Sequence, residues 1–170
     1  MDQARIEAAA RELLAAIGED VTREGLDETP ARIARMCAEI FSGLQDDPLR
    51  HIKLFEGSGG CEPIVVRDIP VYSVCEHHLL PFFGTAQITY WPNGNRVLGL
   101  SKFVRIVDCF ARRPQLQERL TTQIANFLFE NLPCQKVEVE IEARHLCMTM
   151  RGARAVEATT VTRAVRNGNV

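Results

Sequence analysis

Cys75-Glu76-His77-His78 places a thiol, a carboxylate and two imidazoles in consecutive positions between apolar residues, and uses two of the chain's four histidines. Cys75 and His78 stand in Cys-x-x-His spacing. In a turn or short helix that spacing lets both side chains reach one point, as a tetrahedral metal requires. A distant pair, His145-x-Cys147, offers another imidazole and another thiol on one face of a strand pattern, roughly 7 Å apart by strand rise. Three protein ligands, Cys75, His78 and Cys147, leave a further zinc position open to water, which is the catalytic rather than the structural pattern. Two plainer readings compete. Buried thiols act as small hydrophobes and histidines as satisfied core groups; or the residues form a structural zinc knot, although their spread from 75 to 147 is no compact finger.

A second group is Ser101, Lys102 and Arg105, clustered where a helix begins. Backbone N–H groups at a helix start already favour anions, so phosphate binding is one reading and a solvated basic helix end the other. Gln117 and Glu118 follow Leu116, a residue of an apolar helical stripe; taken alone they read as helix surface. Glu76 reads as a group that orients a histidine.

These residues need a scaffold, and the composition supplies one. The chain has 170 residues, 46% of them hydrophobic, enough for one domain with a real core and a small appendage. A net charge of −2 and a pI of about 6.1 give no bulk signal for nucleic acid or a membrane surface. No apolar run approaches the ~20 residues of a membrane span. The charged, helical N-terminus is no signal peptide, which makes the cytoplasm the expected compartment. Cys37, Cys61, Cys75, Cys109, Cys134 and Cys147 are scattered, a pattern of free thiols or metal ligands rather than of disulfides.

The elements follow from periodicity. Residues 2–17 read as an amphipathic helix. A second helix has Thr29 as N-cap, Pro30 in its first turn and Gly43 as its stop. Residues 45–60, ending in GSGG, read as a loop. The segment 63–74 is β-branched, with Pro70 marking an edge or a break. Asn93-Gly94 between two apolar runs predicts a hairpin. Ser101 is the candidate cap of one helix, and Pro114 opens the next. From Lys136 to Met150 the alternation is strand-like, with Val137, Val139, Ile141, Ala143, His145, Cys147 and Thr149 on one face. The result is an α+β chain, an antiparallel sheet with helices on one face. Residues 1–50 form a helical segment and 61–166 the main domain.

The blocks DIPVYSVCEHHLLPFFG, VLGLSKFVRIVDCFARRPQLQERLTTQIA and EARHLCMTMRGAR closely resemble GTP cyclohydrolase I, in that family's order and spacing. ETPARIARMCAEIFSGL resembles its N-terminal helix, and the likeness spans roughly residues 25–163. The resemblance implies the tunnelling fold, in which subunits join their sheets into rings. Two pentamers stack into a homodecamer with sites at subunit boundaries. It implies Zn2+ on Cys75, His78 and Cys147, proton handling by His77 and His145, and Ser101 near the ribose. Gln117 and Glu118 would recognise guanine, and Lys102, Arg105 and Arg151 the triphosphate. The implied reaction turns GTP and water into 7,8-dihydroneopterin triphosphate and formate, the first step of pterin and tetrahydrofolate synthesis. Neither nucleic acid nor membrane is a partner. Departures fall outside this set: Thr85 replaces a frequent lysine, EATTVTRAV replaces a Ser-x-Thr-Val-Thr-Ser pattern, and the family's C-terminal helix is missing before Val170. Two rivals are a related tunnelling-fold nitrile reductase with a cysteine nucleophile and NADPH, and a non-catalytic zinc-stabilised ring scaffold.

Overall fold

The computed structural model describes residues 1–57, 60 and 62–168; Cys61 and the Ser58-Gly59 part of the expected loop lie outside the described residues. The chain forms two compact units, Met1–Ser42 and Gly43–Val170. In the first, α1 (Gln3–Ala16) and α2 (Thr29–Ile40) pack on each other. The Asp2 carboxylate caps α1 by accepting from the Arg5 N–H at 3.1 Å. Thr29 is not the cap of α2. Its hydroxyl donates to the Gly25 carbonyl at 3.2 Å, and Glu28 takes the cap position.

The second unit runs β1 (Leu54–Glu56), β2 (Ile64–Cys75), β3 (Pro81–Pro92), β4 (Arg96–Leu98), α3 (Leu100–Ala111), β5 (Pro114–Gln115), α4 (Gln117–Asn131), β6 (Cys134–His145), α5 (Leu146–Thr149) and β7 (Thr160–Asn167). A 3-10 turn at Pro48–His51 and β1 occupy part of what reads as loop, and a 3-10 turn at Ser42–Leu44 follows α2 where the sequence reads as continuing helix. Gly43 is not a helix stop: a Cβ there would lie 2.2 Å from the Cys109 carbonyl oxygen, so glycine permits a close backbone approach.

The main sheet has five strands in the order β5-β2-β3-β6-β7, antiparallel apart from the short parallel pairing of β5 with β2. The α+β class is as expected, with α3 and α4 packed on this sheet. Val137, Val139, Ile141 and Ala143 bury the inner face of β6 in one core cluster with Ile106, Leu120, Ile124 and Leu128. Each fully buried large side chain contributes about 1.5–3 kcal/mol.

The hairpin and the starts of α3 and α4 are corrected, whereas Pro70 does lie on an open edge of β2 beside an irregularity. Gly94 turns with φ +89°, but β4 leaves β3 and pairs with β1, Leu54 opposite Leu98. The reason is occupancy: β3 has β2 on one side and β6 on the other, so no edge remains for a hairpin partner. The irregularity near Pro70 is a bulge at Arg67-Asp68, where Asp68 adopts φ +58°. Pro70 itself pairs with Thr85, and β5 flanks only Val74 and Cys75 on the other side of β2. Finally, Gly99 rather than Ser101 caps α3, and Pro114 lies in β5, three residues before α4 begins at Gln117. Among the described residues no helix is long and apolar enough to cross a membrane.

Candidate active site

The topology brings distant residues to one sheet end. Strands β2 and β6 both run antiparallel to β3, so they are parallel to each other and finish on the same side. Cys75 is the last residue of β2 and His145 the last of β6. The pairing of Cys75 with Gln115 sets the start of α4 beside them.

After Cys75 the chain reverses tightly. The Leu79 N–H donates to the Cys75 carbonyl and the Cys75 N–H to the Leu80 carbonyl, both at 2.9 Å. Leu79 closes this turn at φ +53°, a conformation costing a leucine of order 1 kcal/mol and typical of functional turns. Glu76, His77 and His78 project from it, exposed.

Cys147 does not continue the strand face. The strand ends at His145, and Leu146–Thr149 form one helical turn. That turn, rather than strand alternation, carries the thiol toward Cys75. One donor atom from each of Cys75, His78 and Cys147 lies within 4.8 Å of the others. A tetrahedral zinc separates such donors by about 3.5–3.8 Å, within reach of small side-chain rotations, and two thiols with an imidazole are a soft set that suits it. Burial, then the neighbouring Cys75 thiol, pushes the Cys147 thiol up from its ordinary pKa.

His145 is held from two directions. Its ring stacks on Phe82 at 4.6 Å between centroids and 13° between planes, and Nε2 lies 2.7 Å from Gln117 Oε1. The Gln117 amide nitrogen donates to the Ile141 and Thr160 carbonyls, each at 2.9 Å. Both carbonyls can only accept, so the amide cannot turn over, and Oε1 must accept from His145 Nε2–H. His145 then carries its lone pair on Nδ1. Burial lowers its pKa, which favours the neutral ring.

These residues line one pocket of about 370 Å3, with Cys75, His77, His78, Gln117, Glu118, His145 and Cys147 on its wall. Glu118 lies exposed in the first turn of α4, where the helix dipole favours a carboxylate. Arg151 borders the site, its Nη1 3.3 Å from His78 Nε2. Ser101, Lys102 and Arg105 stand at the start of α3 and do not line this pocket. The Glu76 carboxylate pairs with Arg119 rather than with a histidine ring. Sequence reasoning passes over Arg119, Gln115 and Phe82. The Arg119–Glu76 and Phe82–His145 contacts join residues far apart in the chain, 43 positions in the first case, and Gln115 meets Glu76 through the backbone, so no local spacing signals them.

A second donor group is Asp46, His51 and Cys109, also within 4.8 Å. It is closed by its own contacts: His51 Nε2 is 3.0 Å and Arg50 Nε 2.6 Å from Asp46, and Arg113 Nη2 is 3.6 Å from the Cys109 sulfur. Two guanidiniums oppose a cation there, and the group serves as a clasp between the 48–51 turn and α3.

The sequence model of the family described as GTP cyclohydrolase I matches residues 6–169. A protein of Acetivibrio thermocellus named GTP cyclohydrolase 1 is 54% identical over 166 residues, 98% of this chain and 89% of the relative. One of Corynebacterium aurimucosum with the same name is 56% identical over 168 residues, 98% of this chain and 86% of the relative. Among solved structures, the apo form of the archaeosine synthase QueF-Like aligns at TM-score 0.49 and 18% identity, over 64% of this chain and 95% of that one.

Proposed function

We propose, for a chain that belongs to the GTP cyclohydrolase I family, that it converts GTP and water to 7,8-dihydroneopterin triphosphate and formate. The observation that carries this reading is the convergence of Cys75, His78 and Cys147 with His145 and Glu118 on one pocket. Cys75, His78 and Cys147 would hold zinc. Bound there, zinc supplies a Lewis acid that brings the pKa of water toward ~7.

The chain's own residues account for the remaining work. Guanine presents N1–H and its 2-amino group side by side, and the Glu118 carboxylate accepts both. Gln117 has its side-chain amide committed to Ile141, Thr160 and His145. Its share in reading the base falls to the backbone N–H at the first position of α4, which helix geometry leaves unpaired. Opening the imidazole ring at C8, releasing formate and reclosing onto the sugar carbons all need proton transfers. Neutral His145, with its base at Nδ1, and exposed His77 serve them. Ser101 acts near the ribose. Lys102, Arg105 and Arg151 pair with the triphosphate.

Ser101, Lys102 and Arg105 lie off the pocket of a single chain, so we assign them to the site of a neighbouring copy. This supports a homo-oligomer, a decamer of two pentamers, with sites at subunit boundaries. Strand β7 ends the sheet with Val161 and Val165 exposed, and suits joining of sheets between copies. The catalytic domain is taken as 61–166, with 1–50 as the helical segment. The compartment is the cytoplasm, where GTP is available and thiols stay reduced. The test is incubation of zinc-loaded protein with GTP: formate and a pterin that fluoresces after oxidation are expected. Intact GTP under stoichiometric zinc would overturn the reading.

A further inference from the structure

Arg119 lies one residue beyond Glu118, in the first turn of α4, and its half-exposed side chain reaches the metal-ligand turn. Nη2 pairs with the Glu76 carboxylate. Nε donates to Gln115 Oε1 at 3.1 Å. Gln115 is 2% exposed and is itself fixed, its amide nitrogen donating to the Phe110 carbonyl and to Gln123, each at 2.9 Å. The backbone closes the same loop: the Glu76 N–H donates to the Gln115 carbonyl at 3.0 Å. Glu76 follows Cys75 and precedes His78 by two residues, so whatever fixes Glu76 fixes the turn carrying two ligands.

The planar guanidinium suits this task better than a lysine. Its fork satisfies two partners in fixed directions, whereas an ammonium is a single point charge on a flexible stem. An exposed ion pair alone contributes little to stability. A pair braced by a buried glutamine restricts geometry instead.

We infer that Arg119 is a positioning residue for the reaction proposed above: held by Glu76 and Gln115, it sets the Cys75–His78 turn against the first turn of α4, and so fixes the metal ligands relative to the base-reading Glu118. The inference rests on the GTP cyclohydrolase reading. Arg119 does not line the pocket; it acts through the two elements that do. Misplacing reacting groups by about 1 Å costs ~10²-fold in rate.

The experiment compares wild type, Arg119→Ala, Arg119→Lys, Glu76→Gln and the double variant Glu76→Gln/Arg119→Ala. Each is assayed for zinc content, assembly and GTP kinetics. Arg119→Ala should lower kcat by ~10- to 100-fold while KM moves by less than about 3-fold and zinc stays stoichiometric. Arg119→Lys should recover part of the loss. Glu76→Gln should show the same loss, and the double variant should be no worse than either single one, because the two residues act as one unit. The near-isosteric Glu76→Gln carries the test should Arg119→Ala fail to assemble. Wild-type kcat in Arg119→Ala or Glu76→Gln, additive losses, or activity lost only in step with zinc would overturn the inference. A zinc-loaded wild type that releases no formate from GTP would instead overturn the function and this inference with it.

Discussion

Gln117 Oε1 accepts a hydrogen bond from His145 Nε2 at 2.7 Å, and the Ile141 and Thr160 carbonyls prevent the amide from reversing. A glutamine 2% exposed thereby fixes which nitrogen of a half-buried histidine holds its proton. Gln117→Leu keeps the volume and removes the lock. It should lower kcat by ~10- to 100-fold, the usual cost of losing a group that orients a functional histidine, with zinc content unchanged. His145→Ala should cost ~10²- to 10⁴-fold. Turnover in Gln117→Leu equal to wild type would show that the tautomer does not matter.

Glu118 lies in the first turn of α4 on the pocket wall. Glu118→Gln sets an NH2 against guanine's two donors and should reduce GTP turnover by ~10³-fold or more, since a buried donor pair is left unmatched. ATP, which lacks both donors, should not be turned over, and ITP, which lacks the 2-amino group, should be much poorer than GTP. Steady-state kinetics with the three nucleotides decides this. Near-normal GTP turnover in the variant returns Glu118 to plain helix surface.

Cys147 shares the ligand cluster with Cys75 and His78. Cys147→Ser should lose bound zinc and GTP turnover while assembly is kept, because a hydroxyl replaces a thiolate poorly. Metal analysis beside sedimentation measures both. Stoichiometric zinc in the variant would remove Cys147 from the ligands.

How far these residues could be read from sequence depends on whether the signal is local. Cys75 and His78 are three positions apart, and the alternation of Val137, Val139, Ile141 and Ala143 gives the buried face of β6 directly. Cys147 was legible as a metal-type residue but not in its position, since nothing in RHLCM announces that the strand stops at His145 and one helical turn follows. The Asn93-Gly94 turn was visible, whereas the partner of β4 was not, because that depends on β6 occupying the free side of β3. Gln117 shows the same limit. Taken alone it reads as helix surface and only the family resemblance implies base recognition, while its partners Ile141 and Thr160 come from two strands and commit its amide first.

The Asp46 clasp gives the acid stability a sign. Burial disfavours the Asp46 carboxylate, but the His51 hydrogen bond and the Arg50 charge outweigh it and hold the pKa below the ordinary 3.8. A depressed folded value means the stabilisation is fully present above about pH 3.8 and is lost as pH falls through the lower folded value. Asp46→Asn should therefore destabilise the protein at pH 7 by ~1 kcal/mol, and the gap to wild type should narrow only below about pH 3.8. Urea unfolding across a pH series measures it; a gap that widens on acidification contradicts the clasp.

The central claim is that this pocket opens the imidazole ring of guanine at C8. The most direct measurement follows that atom. Zinc-loaded protein is incubated with GTP carrying an isotopic label at C8, and the label is located in the products. The label should appear in formate, one for each pterin formed, and be absent from the pterin. Label retained in an intact purine, with zinc stoichiometric and the protein assembled, would contradict the account.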